Sequence, residues 1–213
     1  MSDNLYSVWS FSTKVKSITT VVPDGCRDLI MKMEGKERPQ WFVSPLFDQS
    51  QSVLVEENST LVGFRMRPGV EISENELLGF IEHSSTYVDE VQSLLDDFTS
   101  IDCSVDEALE CLASDINSIK QASLRLGVSS RTLQRLILNK TGRTPGYWFQ
   151  LARVRKAAMC ITRSVCFSEA AEICGFSDQS HMNREFQRWF KTSPSEILKS
   201  PDIIDQLNDI GYG

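Results

Sequence analysis

Residues 118–129 read S-I-K-Q-A-S-L-R-L-G-V-S, and residues 166–177 read C-F-S-E-A-A-E-I-C-G-F-S. With Gly127 set over Gly175, the apolar positions coincide, and one extra residue in the second copy then brings Arg143-Thr144-Pro145 over Thr192-Ser193-Pro194. Two similar units thus lie 48 positions apart, an internal repeat. In the first, Ser118-x-x-Gln121 is a capping-box pattern that opens a helix, and Gly127 stops it. Ser129 then caps a second helix, in which Leu133, Leu136 and Ile137 face inward and Arg131, Gln134 and Arg135 share an outward face. A helix, a short turn containing glycine and a second helix with such a face make a helix-turn-helix.

The second unit repeats this grammar. Phe167, Ala170, Ala171 and Ile173 precede Gly175, and Ser177 is the expected N-cap of a helix running to about residue 190 with Met182, Phe186 and Phe190 inward. Gln179, Ser180 and Asn183 fall in its first turns, where base edges are read, and Arg184, Arg188 and Lys191 are placed for phosphates, as is Ser129 in the first unit. Arg bonds guanine O6 and N7 together, and Gln does the same to adenine N6 and N7. Between the units Thr144-Pro145 reads as N-cap and first turn of a linking helix. It carries Trp148, Phe149, Val154, Ala157, Ala158 and Ile161 as apolar residues and Arg153, Arg155, Lys156 and Arg163 as basic ones. About 17 residues at ~1.5 Å each give a spacer near 25 Å, enough to set two units on neighbouring turns of one DNA face.

Residues 104–198 resemble the DNA-binding domain of the AraC/XylS regulators. The likeness is carried by L-G-V-S-S-R-T-L-Q-R-L, T-G-R-T-P-G-Y-W, Arg153-Val154 with Ala157, and G-F-S-D-Q-S-H-M-N-R-E-F-Q-R-W-F-K-T-S-P. It implies a seven-helix domain, bacterial promoters as targets, and base contacts from Arg131, Gln134, Arg135, Gln179, Ser180 and Asn183. Two departures stand out. Lys191 occupies a place where the family usually has Gly, so the helix end there is expected to be strained or differently closed. Cys166 stands where a Ser or Thr cap is usual, leaving Glu169 without its capping partner.

The net charge of −7 argues against a nucleic-acid partner until it is divided along the chain. Residues 1–117 hold 8 Lys and Arg against 21 Asp and Glu, residues 118–200 hold 14 against 5, and the tail adds Asp202, Asp205 and Asp209. An acidic half is joined to a basic one, and the basic half is the part that calls for a polyanion. The acidic half is expected either to repel DNA or to fold back on the basic one. The six cysteines contain no C-x-x-C pair and read as small reduced apolar residues, with Cys166 expected to be buried and inert. Residues 1–10 lack a basic start with an apolar run, and no stretch approaches the ~20 apolar residues of a membrane span, which predicts a cytoplasmic location.

Residues 15–68 alternate short β-type runs with turn signals: V-K-S-I-T-T-V-V, L-I-M-K-M, W-F-V, S-V-L-V and T-L-V-G-F-R-M, closed by Pro68-Gly69. A small sandwich or barrel is expected. Residues 1–72 resemble, through Pro23-Asp24-Gly25-Cys26 and Gly63-x-x-x-x-Pro68-Gly69, a reduced cupin-like domain of the kind that senses a small molecule or mediates association. Over 74–116, Leu77, Phe80, Ile81, Val88, Val91, Leu94, Leu95, Val105, Ala108, Leu109, Leu112 and Ile116 recur at helical spacing.

The expected fold is therefore α+β: a β-rich sensor or association domain (1–72), a helical connector (73–103), an all-α domain with two helix-turn-helix units (104–198) and an acidic tail (199–213). No phosphate-binding glycine loop, H-E-x-x-H or G-x-S-x-G appears, and His83 and His181 are too few for a His-rich metal site, so neither an enzyme, a metal centre nor a cofactor is expected. Promoter double-stranded DNA is the expected partner. RNA polymerase, a small-molecule or protein effector on the N-terminal part and a second copy of the chain are further candidates. An adaptor that keeps this fold but acts by occupying another regulator is the rival.

Overall fold

In the computed structural model, residues 4–35, 37–83 and 88–213 are described. Residues 84–87, within the expected connector, and 1–3 and 36, within the expected β region, lie outside them. A β-rich part is followed by helices. Strands β1 (Leu5–Thr13), β2 (Ser17–Val21), β3 (Asp28–Glu34), β4 (Gln40–Val43), β5 (Gln51–Val55) and β6 (Ser59–Met66) form an antiparallel four-stranded sheet in the order β1-β6-β3-β4 and a two-stranded sheet of β2 and β5. Strand β1 lies outside the runs that turn residues bracket in the sequence. Its uncharged LYSVWSFST is rich in strand formers but begins too near the chain start to be bounded on both sides. Pro68-Gly69 does not close the β region either. The two-residue β7 (Glu71–Ile72) follows it and pairs with β8 (Thr99–Ser100), beyond helices α1 (Glu74–His83) and α2 (Val88–Phe98).

Cross-strand partners share a face, so the register sorts the large sheet. Val8, Phe64, Leu29 and Val43 form one row across all four strands, and Phe64, Leu29 and Val43 are buried against Leu77 and Ile81 of α1 and Val91 and Leu95 of α2. The opposite face carries Trp9, Gly63, Ile30 and Phe42. Here the indole of Trp9 lies across Gly63, where a Cβ would come within 2.1 Å of the ring, and its Nε1 donates to Asp28 Oδ2 at 2.8 Å.

Seven helices follow: α3 (Cys103–Ala113), α4 (Ile119–Arg125), α5 (Ser130–Thr141), α6 (Pro145–Thr162), α7 (Phe167–Ile173), α8 (Gln179–Phe190) and α9 (Pro194–Ile197). An eighth, α10 (Pro201–Asn208), lies in the stretch the charge pattern marks as an acidic tail. Helix α6 runs through the middle of this core, with Trp148, Leu151, Val154, Ala157, Ala158 and Ile161 all buried.

The acidic half packs against the helices. Arg143 pairs with Asp48 at 2.8 Å, Lys140 with Glu71 at 2.8 Å and Arg67 with Asp106 at 2.8 Å. The amide of Ser50 donates to Trp189 O, and Tyr147 Oη donates to Phe47 O. The segment after α10 is wedged into the junction. Tyr212 donates from its amide to Asp24 O and from its hydroxyl to Leu109 O, and its ring meets Trp148 edge-on at 4.9 Å. Gln206 bridges Thr20 O and the amide of Val22. Gly25 allows this closure, since it has φ +75° and a Cβ there would lie 2.7 Å from Tyr212 Cβ. Beneath it Arg65 pairs with Asp24 and Asp28, and Arg155 of α6 is buried beside Asp24, donating to Pro23 O. Burial pushes the Asp24 carboxyl up from its ordinary value, against the pull of Arg65.

Candidate nucleic-acid interface

Each unit is built by caps that its sequence supplies. Ser118 accepts from the amide of Gln121, and the Gln121 side chain accepts from the amide of Asn117, one residue earlier than a full capping box requires. Gly127 takes φ +68° after α4, and Ser129 caps α5 by accepting from the amide of Thr132 at 3.1 Å. Leu133 and Ile137 are buried, while Arg131, Gln134 and Arg135 are exposed together on the outer side of α5.

In the second unit Gly175 takes φ +71° at the same place. The cap of α8 is Asp178 and not Ser177: Asp178 accepts from the amide of His181 at 2.6 Å, while Ser177 holds the His181 ring through its hydroxyl at 3.1 Å. Ser-Asp offers two good caps in succession, and the one three residues before a free amide wins. Gln179, Ser180, Arg184, Gln187 and Arg188 are exposed on α8. Asn183 is half-buried, with Oδ1 enclosed and no hydrogen-bond partner among the described residues. Leu138 and Gln187, which the motif pattern does not single out, extend the outward faces by one turn. Their helical spacing from Arg135 and Arg184 is the signal that marks them.

The two departures take definite forms. Lys191 ends α8 in the left-handed region, φ 58°, as Gly142 ends α5 at φ 67°. Lys191→Gly is therefore expected to raise the free energy of unfolding by about 1 kcal/mol, measured by denaturant titration, by relieving a side chain in that region. Cys166 is the N-cap residue of α7 and makes no capping bond. It is exposed, contrary to the buried thiol expected, because an N-cap position leaves its side chain at the helix mouth, where Sγ lies 3.4 Å from Ser168 Oγ. Cys103, at the start of α3, is exposed too. Cys166→Ser restores an acceptor at that mouth, and the unfolding midpoint is expected to rise by the equivalent of up to about 1 kcal/mol. A fall in stability would show that the sulfur packs in a way a hydroxyl cannot replace.

The linking helix uses its cations unequally. Arg163 is exposed, and Lys156 pairs with Asp115 at 2.6 Å. Arg153 lies over the Phe176 ring at 4.5 Å and donates to Gly175 O, tying α6 to the turn of the second unit. Arg155 is buried at the junction. Cys174, between these elements, has its thiol pushed up to about 12 by burial and by neighbouring Cys160. Among the described residues, Arg131, Arg135, Arg184 and Lys191 form no ion pair. The acidic half engages Lys140 and Arg143. At ~100° per residue Lys140 falls on the inward side of α5 with Leu133, so the acidic half docks opposite the face of Arg131 and Arg135.

The family model for a helix-turn-helix domain matches residues 122–200, which takes in both turns and the helix between them. Residues 122–200 belong to the AraC/XylS family of helix-turn-helix domains. The HTH-type transcriptional activator RhaS of Escherichia coli O1:K1 / APEC is 35% identical over 79 residues, 37% of this chain and 28% of the relative. RhaS of Klebsiella pneumoniae (strain 342) is 32% identical over 88 residues, 41% of this chain and 32% of that one. The chain thus spans less than a third of the length of these relatives, and the match lies in the AraC-type domain. The crystal structure of ToxT from Vibrio cholerae O395 aligns with 96% of this chain and 98% of its own at a TM-score of 0.50 and 11% identity, a likeness of fold with the β-rich part first and the AraC-type domain after it. No helix among the described residues is long and apolar enough to cross a membrane.

Proposed function

We propose that this chain is a sequence-specific DNA-binding transcriptional regulator of the AraC type, which binds promoter DNA and changes transcription in response to a signal received by its N-terminal part. The observation that carries this reading is the pair of outward faces, one on α5 and one on α8, held by one linking helix. Arg131, Arg135 and Arg184 on these faces form no ion pair among the described residues, while the acidic half docks elsewhere. Arg131, Gln134, Arg135, Gln179, Ser180 and Asn183 are the proposed base readers, and Ser129, Arg184, Arg188 and Lys191 the proposed phosphate contacts. The division at 1–72, 73–103, 104–198 and 199–213 follows the same reading. A cavity of about 300 Å³ between the parts, lined by Leu46, Met66, Arg67, Lys140 and Trp148 among others, supports an effector acting at the junction. RNA polymerase and a second copy of the chain are the further partners this function calls for.

The test is selection of bound duplexes from random DNA with the purified full chain, followed by affinity measurements across a salt series. A regulator enriches a defined site, and its affinity falls steeply with salt, by a log–log slope of about −0.9 for each phosphate neutralised. Absence of enrichment together with absence of binding at modest salt would overturn this reading in favour of the adaptor.

A further inference from the structure

Leu138 is an apolar residue at the C-terminal end of a polar reading face. It is 42% exposed, three residues after Arg135 and four after Gln134 on α5. At ~100° per residue, Arg131, Arg135 and Leu138 fall within about 60° of one another, on the side opposite the buried Leu133. A single exposed leucine is ordinary on a protein surface. This one is not covered by the acidic half, which meets α5 through Lys140 on the opposite side.

The internal repeat sharpens the contrast. The N-caps Ser129 and Asp178 and the left-handed ends Gly142 and Lys191 both bring Leu138 over Gln187, which is polar and exposed. At this matched outward position the first unit is apolar and the second carries an amide. A helix in the major groove with Arg131 against one base places Leu138 about 10 Å further along, some three base pairs on. The apolar feature that a base edge presents in that groove is the thymine C5-methyl group.

From this juxtaposition we infer that Leu138 reads a thymine methyl group, making the first unit's site a mixed polar and apolar code. The inference rests on the DNA-binding reading above. The block read by the first unit is identified as the one that Arg131→Ala relaxes in the selected site. Each thymine in that block is then replaced singly by deoxyuridine, which removes the methyl and leaves every hydrogen-bonding group in place, and affinity is measured by fluorescence anisotropy.

One such replacement is expected to weaken the wild-type protein about threefold to tenfold, the scale of one buried methyl. Leu138→Ala binds the thymine and deoxyuridine duplexes equally at that position, while Arg131→Ala keeps the difference. Leu138→Gln, copying the second unit, shifts the preference there from thymine towards adenine. Leu138 is exposed, so both variants are expected to unfold at the wild-type midpoint. Wild-type binding that is specific yet indifferent to every thymine methyl in the block overturns the role of Leu138 and leaves the proposed function standing, as does a Leu138→Ala protein that keeps the wild-type preference. Failure to discriminate any duplex from any other overturns both.

Discussion

Trp148→Ala is expected to lower the free energy of unfolding by about 3–5 kcal/mol, read from a urea titration of the full chain. Trp148 is 1% exposed in the first turn of α6. Its indole Nε1 donates to Thr141 Oγ1 at 2.9 Å, which holds the end of α5 against α6. Its ring meets Tyr147 at 5.3 Å and Tyr212 at 4.9 Å, both edge-on, and lies under Gly25. Truncation therefore leaves a cavity where the end of the first helix-turn-helix unit, the linking helix, the β-rich part and the C-terminal segment meet. Leu124→Ala, at a leucine 72% exposed on α4, is the control and is expected to stay within about 0.5 kcal/mol of wild type. Comparable destabilisation by both variants would mean that Trp148 is not the anchor of the junction.

Alanine at Arg131 and Gln134 is expected to relax specificity in one half of a bipartite site and leave the other half intact. If the proposed function holds, α5 and α8, joined by the single helix α6, are expected to enter successive major-groove segments about 34 Å apart. A site for one chain is then asymmetric. Removing a side chain that bonds one base through two hydrogen bonds should reduce discrimination against the wrong base by about 1–3 kcal/mol, roughly 5- to 150-fold, at its own position. Arg184→Ala should instead weaken binding to all duplexes alike and reduce the salt slope by about one. Alanine at Gln179 and Ser180 should relax the other block, with Asn183→Ala smaller because its amide is half-enclosed. Equal weakening on every duplex from the Arg131 and Gln134 pair, with no base position becoming permissive, would remove α5 from the readers.

The helical third was legible because its signals are local. Ser129, Thr144-Pro145 and Ser193 cap the helices they precede, and Gly127, Gly142 and Gly175 sit where a positive φ ends or turns a helix. Such choices are made by a residue and its neighbours within four positions, and the repeat states most of them twice. The sandwich-or-barrel expectation rested on turn residues, which bracketed β2 to β6 but left β1 and the β7–β8 pairing unmarked. Strand pairing is a long-range choice, and the partner of Leu5 to Thr13 lies more than forty residues away in β6.

By itself the sequence determined that this chain is α+β, that its C-terminal third is two helix-turn-helix units on one linking helix, and that Arg131, Gln134 and Arg135 lie together. Tertiary structure alone decided where the charge goes. Lys140, Arg143 and Arg155, counted equally in the basic half, are taken up by the junction, while Arg131, Arg135 and Arg184 remain open to solvent. Composition records the sign of a side chain but not its neighbours, and a charge acts over a few ångströms, a distance set by the folded path of the chain and not by its order.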